Sequence, residues 1–107
     1  MPSVDELYDE ADRFKSEEKF EEAAAKLREA VELDGEYALG HSALAVVLGK
    51  IGRHEEAIEH ARRACELEPN DPFSYTALSV TFQRAFAGTG NTAYIQMAED
   101  AMARSRI

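Results

Sequence analysis

The sequence predicts an all-α fold in which six helices form three similar helix pairs. Two observations lead to this prediction: apolar residues recur at helical spacing along the chain, and a shift of 34 positions brings similar residues into alignment. The segment EEKFEEAAAKLREAVELDGE (17–36) then falls on IGRHEEAIEHARRACELEPN (51–70), with small residues on small residues and acidic ones on acidic ones. A period of this length is typical of stacked helix–turn–helix units.

The first helix pair is bounded by recognisable signals. Ser3 and Glu6 form a capping box, which predicts that a helix begins there and covers about residues 4–16. The next apolar pattern predicts a helix over about 19–33, and Gly35 suits the position just after its end. Only a short turn is left between these two helices.

The second pair follows the same plan. A helix over about 37–50 ends at a turn that contains Gly52, and a helix over about 54–67 ends before Pro69. Glycine and proline both favour a turn over continued helix at these places.

The third pair departs from the period. Asp71 is a natural N-cap and Pro72 a natural first residue for a helix over about 72–86. The glycine-rich stretch AFAGTGNTAY (85–94) precedes a last helix over about 92–105. We interpret that stretch as the turn of the third pair, longer than the turn of the second pair by two or three residues.

The middle pair carries a recognisable set of packing and turn residues: Leu44, Ala45, Leu48, Gly52, Ala57, Ala61, Ala64, Leu67 and Pro69. On these residues the chain resembles the tetratricopeptide repeat family, although His41 stands where a tryptophan or another large residue is usual. The resemblance implies a short right-handed α-solenoid and a non-enzymatic scaffold for protein–protein interaction. We expect one domain over residues 1–107. Its three repeats cover about 4–37, 38–71 and 72–107.

Acidic residues dominate the charge of the chain. It has 12 basic and 21 acidic residues, a net charge of -9 at pH 7, and residues 1–36 hold 5 basic and 13 acidic residues, which gives -8. Such a field repels phosphate backbones, so we expect no nucleic-acid partner. No apolar run approaches the roughly 18 residues of a membrane span, so we expect no membrane partner and a cytoplasmic location.

The sequence carries no pattern for catalysis or for a bound cofactor. No serine or cysteine lies in a nucleophile motif, so we expect no enzymatic activity and no cofactor. His41, His54 and His60 belong to different faces or different helices, and their spacing resembles no metal site. Cys65 is the only cysteine, and we interpret it as a small buried apolar residue.

A weaker alternative is the binding of a small anion or nucleotide by residues 88–92. Backbone amides at the start of a helix can receive an anion. A phosphate-binding glycine loop normally follows a strand and often includes a lysine, whereas here a helix comes first and the loop has no basic residue. We therefore interpret this loop mainly as a turn.

The resemblance places the binding surface on the first helix of each repeat, at positions that face away from the core. The candidate residues are Tyr8, Asp12, Leu39, Ser42, Val46, Lys50, Phe73, Thr76, Val80 and Arg84. We expect a protein or peptide partner, of unknown identity, that lays apolar side chains on this surface. A carboxylate of that partner is expected near Lys50 or Arg84.

Some members of the family hold the acidic C-terminus of a chaperone with a clamp of Lys, Asn and Arg side chains. At the corresponding positions this chain has Tyr8, Asp12, Ala43 and Val80, and only Arg84 matches. We therefore expect no binding of this clamp type.

The last helix suggests an alternative function, which is self-assembly. Its apolar residues cover an arc of roughly 160°, wider than the roughly 100° stripe that a surface helix requires. They include Tyr94, Ile95, Met97 and Met102. Since no capping helix follows in the sequence, we keep a homodimer through this face as the alternative.

Overall fold

The computed structural model describes residues 1–106 and confirms the six predicted helices. They are α1 (Val4–Ser16), α2 (Phe20–Leu33), α3 (Ala38–Lys50), α4 (His54–Leu67), α5 (Pro72–Thr89) and α6 (Ala93–Ser105). No strand occurs among the described residues. Within each pair the two helices are joined by a turn of three residues. In this part of the chain no helix is both long and apolar enough to cross a membrane.

The helices stack in chain order as a helical-repeat solenoid. Each helix packs on the next one along the chain, and α3 also contacts α1 and α5. The contact of α3 with α5 is much more extensive than its contact with α1. The three first helices therefore form one wall, which is more open between α1 and α3.

The helix boundaries rest on the local hydrogen bonds that the sequence predicts. Ser3 Oγ accepts from the amide of Glu6 at 3.2 Å, and Asp71 Oδ1 accepts from the amide of Phe73 at 3.0 Å. Gly52 has a φ of 80°, a left-handed conformation that glycine adopts at little cost. These contacts involve residues close in sequence, which is why the sequence alone locates the ends.

The third pair differs from the prediction. Helix α5 runs past its predicted end to Thr89, which gives it 18 residues against 13 in α1 and in α3. The turn that follows, 90–92, is no longer than the other two, so the lengthened turn is wrong: the added residues are helical. Gly88 packs against His54 so closely that a Cβ would collide with the ring. The helix ends at Gly90, which has a φ of 74°.

The core lies where the helix pairs meet. One cluster of buried residues is shared by the four helices α1, α2, α3 and α4. It consists of Ala11, Ala23, Ala24, Leu27, Leu44, Val47, Leu48 and Ala57. A smaller one joins α4, α5 and α6: Ile58, Phe82, Ala85 and Ala98. Cys65 is buried as expected, and burial raises the pKa of its thiol, which disfavours the reactive thiolate.

An ion pair crosses from the first helix pair to the second. Arg28 in α2 donates to both carboxylate oxygens of Glu56 in α4. This hydrogen bonding holds the pKa of the Glu56 carboxyl below its usual value. The two pairs are therefore joined by a polar contact at the surface as well as by the apolar core.

Two histidines that the sequence did not relate meet at the same junction. Their rings stack with centroids 5.2 Å apart, and His41 Nδ1 lies 2.9 Å from His60 Nδ1. His41 Nε2 donates to the carbonyl oxygen of Gly35 at 2.9 Å, so a neutral His41 accepts at Nδ1 from His60. Among residues 1–106 no group of three His, Cys, Asp or Glu side chains is arranged for a metal ion. We call His41 and His60 the histidine pair.

Candidate functional site

The ten candidate residues lie outside the buried sides of α1, α3 and α5, and one of them, Tyr8, packs partly against the core. None of them is buried, whereas Leu7, Leu44 and Ser79 on the same three helices are at most 2% exposed. Because these helices lie side by side, the ten residues share one surface. We call it the groove surface, and it consists of Tyr8, Asp12, Leu39, Ser42, Val46, Lys50, Phe73, Thr76, Val80 and Arg84.

Two apolar side chains of the groove surface are strongly exposed. Phe73 is 81% exposed and Leu39 is 53% exposed. They are 34 positions apart, so they occupy the same place on the neighbouring helices α5 and α3. Val46 and Val80 form a second such couple and are half-buried. The groove surface thus presents an apolar strip across α3 and α5.

The two basic residues of the groove surface make contacts within the chain. Arg84 Nη1 donates to the carbonyl oxygen of Val46 at 3.3 Å. The Arg84 side chain lies against Gly49, where a Cβ would come within 3.4 Å of it. Lys50 Nζ lies 5.2 Å from the centroid of the Phe20 ring, a cation–π contact. Both side chains are positioned by these contacts, and neither forms an ion pair among residues 1–106.

An aromatic pair lies at the α1 end of the groove surface. The rings of Tyr8 and Tyr37 meet edge to face with centroids 6.5 Å apart. Tyr37 covers Gly40, where a Cβ would come within 2.6 Å of the Tyr37 ring. Sequence reasoning missed Tyr37, because it precedes α3 and reaches Tyr8 only through the packing of the first two pairs. Its single signal was an aromatic residue in an otherwise polar turn.

Three carboxylates surround the aromatic pair. Asp5, Asp9 and Asp12 are exposed and follow one another on one face of α1. Burial raises the pKa of the Tyr8 hydroxyl, and the charges of Asp12 and Asp9 raise it further. Burial also raises the pKa of Tyr37, with Asp5 the largest charge contribution. None of the three carboxylates forms an ion pair within residues 1–106.

A small depression separates α1 from α3 on the same surface. Tyr8, Asp12, Lys15 and Ala43 line it together with residues of the core. Ala43 carries no polar group at the position where a clamp would need an amide. The geometry here therefore offers a phenol, a carboxylate and the ammonium group of Lys15, and not the Lys, Asn and Arg set of a clamp.

The four residues of the predicted self-association face lie in different surroundings in the structure. Tyr94 stacks on Phe82 with centroids 5.8 Å apart and belongs to the core. Ile95 and Met102 line a cleft of about 530 Å³ between α5 and α6, which we call the end cleft. The other residues of the end cleft are Ser79, Gln83, Phe86, Ala98 and Glu99. Ile95 is 43% exposed, and Met97, outside the cleft, is 38% exposed.

The glycine-rich turn bonds its own amides. Thr89 Oγ1 accepts from the amide of Asn91, and Asn91 Oδ1 accepts from the amide of Ala93, both at 3.1 Å. The amides of Tyr94 and Ile95 donate to carbonyl oxygens of the same turn. An anion at residues 88–92 would have to displace these contacts, which weighs against a site there.

Comparisons with known proteins agree with this architecture. The family model described as tetratricopeptide repeat matches residues 8–72. A solved structure of the TPR2B domain of yeast Sti1, in complex with pHsp70, is similar with a TM-score of 0.69 and 19% identity, over 96% of this chain and 95% of that one. The structure of the TPR2AB domain of yeast Sti1, in complex with pHSP90, is similar with a TM-score of 0.68 and 19% identity. This match covers 97% of this chain and 46% of that one. No curated protein shows significant similarity to the chain.

Proposed function

Because the chain belongs to the tetratricopeptide repeat family, we propose that it is a non-enzymatic scaffold that binds a peptide or protein segment along the groove surface. The exposure of Phe73, at 81%, is the observation that carries this proposal. Leu39 beside it is also exposed, and both stand on regular helices whose opposite sides hold the core. Burying two such side chains against a partner contributes about 1.5–3 kcal/mol each.

The mode of binding that we propose differs from a carboxylate clamp. The similar Sti1 domains are in complex with pHsp70 and pHSP90, and they share the fold of this chain at 19% identity. On the groove surface Tyr8 and Val80 stand at two clamp positions. Arg84, the one matching residue, donates to a backbone carbonyl of α3. Apolar contact with α3 and α5 is therefore the proposed source of affinity.

The double substitution Val46→Glu and Phe73→Glu tests this proposal. Both changes place a charge in the apolar strip, so we expect affinity for a groove ligand to fall at least about a hundredfold, equivalent to about 3 kcal/mol. Ligands are first selected from a random peptide display library with the wild-type protein. Their affinities are then measured by fluorescence anisotropy.

A matched control adds the same two charges elsewhere. The variant Ala25→Glu with Ala103→Glu changes exposed alanines of α2 and α6 and should bind like the wild type. Circular dichroism verifies that both double variants are helical. If the selected peptides bind the Val46 and Phe73 variant as tightly as the wild type, the groove proposal is wrong.

Self-association through α6 is the second candidate function, and the end cleft with the exposed Ile95 favours it. In that case the molar mass, measured by light scattering, rises with concentration from 11.9 kDa towards twice that value. The substitution Ile95→Glu, which places a charge in the cleft, should restore the monomer. A mass that stays at that of one chain at high concentration rules out the homodimer.

A further inference from the structure

We infer that the segment bound by the groove surface carries Lys or Arg side chains at its α1 end, next to the apolar side chains that cover α3 and α5. This inference rests on the proposed function and adds the chemical class of the ligand. It follows from the distribution of charge and aromatic rings over the groove surface and its α1 border.

The free charge at the α1 end is negative. Asp5, Asp9 and Asp12 lie on one face of α1, are exposed, and form no ion pair among residues 1–106. The nearest basic residues of α1 are Arg13, which lies over the ring of Phe14, and Lys15, which lines the depression beside Asp12. The first third of the chain, which includes these three residues, has a net charge of -8.

The aromatic pair suits a cation. Tyr8 lies between the three carboxylates on α1, and Tyr37 meets it edge to face from the start of α3. A guanidinium can stack on a tyrosine ring while it donates to a neighbouring carboxylate, and a lysine ammonium can make the same two contacts less specifically. An acidic side chain of a ligand would meet three carboxylates here and the single ammonium group of Lys15, so repulsion dominates.

The two basic residues towards the α5 end are held by contacts within the chain. Arg84 donates to the carbonyl oxygen of Val46, and Lys50 lies over the Phe20 ring. A carboxylate of the ligand would have to compete with these contacts for the two cations. A ligand that complements the groove surface is therefore basic at the α1 end and apolar at the α5 end.

The repeat period fixes the spacing of these features. Asp5, Leu39 and Phe73 occupy the same position on α1, α3 and α5, so they form one row across the three helices. The axes of closely packed helices, such as α3 and α5, are about 8–10 Å apart, and an extended chain covers about 3.3 Å per residue. A ligand that crosses the row in an extended form should thus place its apolar and aromatic side chains about three residues apart, with the basic side chain at least as far from the apolar one.

Two synthetic peptides test the inference. The first is Arg-Gly-Ser-Leu-Gly-Ser-Phe, the second has Glu in place of Arg, and both are also made in reverse order, with blocked termini. Binding to the full chain is measured by fluorescence anisotropy at low salt. Of the two arginine peptides, the one that binds more tightly should exceed the affinity of either glutamate peptide at least about tenfold. This difference should shrink in high salt, because exposed charges are screened.

Reversing the charge of two α1 residues tests whether the preference for arginine peptides arises at the α1 end. The variant Asp5→Lys with Asp12→Lys should invert the preference, so that a glutamate peptide binds more tightly. The variant Glu22→Lys with Glu32→Lys makes the same change of charge on exposed residues of α2 and should keep the wild-type preference. Circular dichroism verifies the fold of each variant.

The outcomes separate this inference from the groove proposal. If arginine and glutamate peptides bind equally well, and the variant Leu39→Ser with Phe73→Ser binds neither, the inference of a basic ligand is wrong. The groove proposal would then remain in place. A preference for glutamate, an arginine preference that survives the α1 reversal, or binding of none of the four peptides would also overturn the inference. The library selection described above tests the groove itself independently of ligand charge.

Discussion

Replacing Leu48 with alanine is expected to lower the free energy of unfolding by about 2–5 kcal/mol, a large part of the about 5–15 kcal/mol that stabilises an ordinary domain. Leu48 is 0% exposed and belongs to the cluster that joins the first two helix pairs. Its removal leaves a cavity in a cluster that combines four alanines with Leu27, Leu44 and Val47. The alanines are too short to move into the space, so relaxation recovers only part of the loss.

Urea denaturation followed by circular dichroism measures this effect. The substitution Val46→Ala is the matched control, because it shortens a half-buried side chain on the same helix outside the core, and it should cost clearly less. A loss below about 1 kcal/mol for Leu48→Ala would contradict the packing described for this junction.

Acidification is expected to destabilise the fold through the histidine pair. Burial lowers the pKa of His60 below its ordinary value of 6.5, the neighbouring His41 lowers it further, and Glu56 partly offsets them. A group whose pKa is lower in the folded state binds fewer protons there than in the unfolded chain. Its contribution to stability is therefore complete above about pH 6.5 and is lost as the pH falls from there through the folded-state pKa.

The hydrogen bonds show where His60 can take up a proton. His60 Nδ1 donates to His41, which in turn donates to the carbonyl oxygen of Gly35. The proton therefore goes to His60 Nε2, which lies 3.9 Å from a carboxylate oxygen of Glu56.

Thermal unfolding between about pH 7.5 and pH 5.5 tests this expectation. The melting temperature of the wild type should fall over this range, whereas that of His60→Gln should change much less, since glutamine can donate to His41 without titrating. The variant Glu55→Gln alters an exposed acid of the same helix and should keep the wild-type slope. Equal slopes for the wild type and His60→Gln would show that the histidine pair is not responsible.

Much of the fold could be predicted because its signals are local. The caps at Ser3 and Asp71 and the left-handed Gly52 act on residues within a few positions, so they locate helix ends without knowledge of packing. The end of α5 could not be placed in this way. Gly88 disfavours helix by about 1 kcal/mol, yet it is helical here and lies against the ring of His54, 34 residues earlier in the sequence.

For the candidate site, too, the sequence predicts some features and not others. The repeat period places the ten residues on one surface of the first helices, since equivalent positions of a repeat face the same way. Their individual contacts depend on packing between helices that are distant in sequence. The pairing of Tyr8 with Tyr37, of Arg84 with Val46 and of the two histidines joins residues 19 to 38 positions apart, and no local pattern indicates them.

The longer helix of the third pair has a consequence for how a ligand is oriented. A wall of identical pairs would offer an extended chain several equivalent registers, each shifted by one repeat. Helix α5 is about 27 Å long and α3 about 20 Å, so the third repeat has a longer first helix than the second. Together with the change from Asp5 to Leu39 to Phe73 along one row, this difference makes the repeats inequivalent, and we expect a ligand of the proposed groove to adopt a single register.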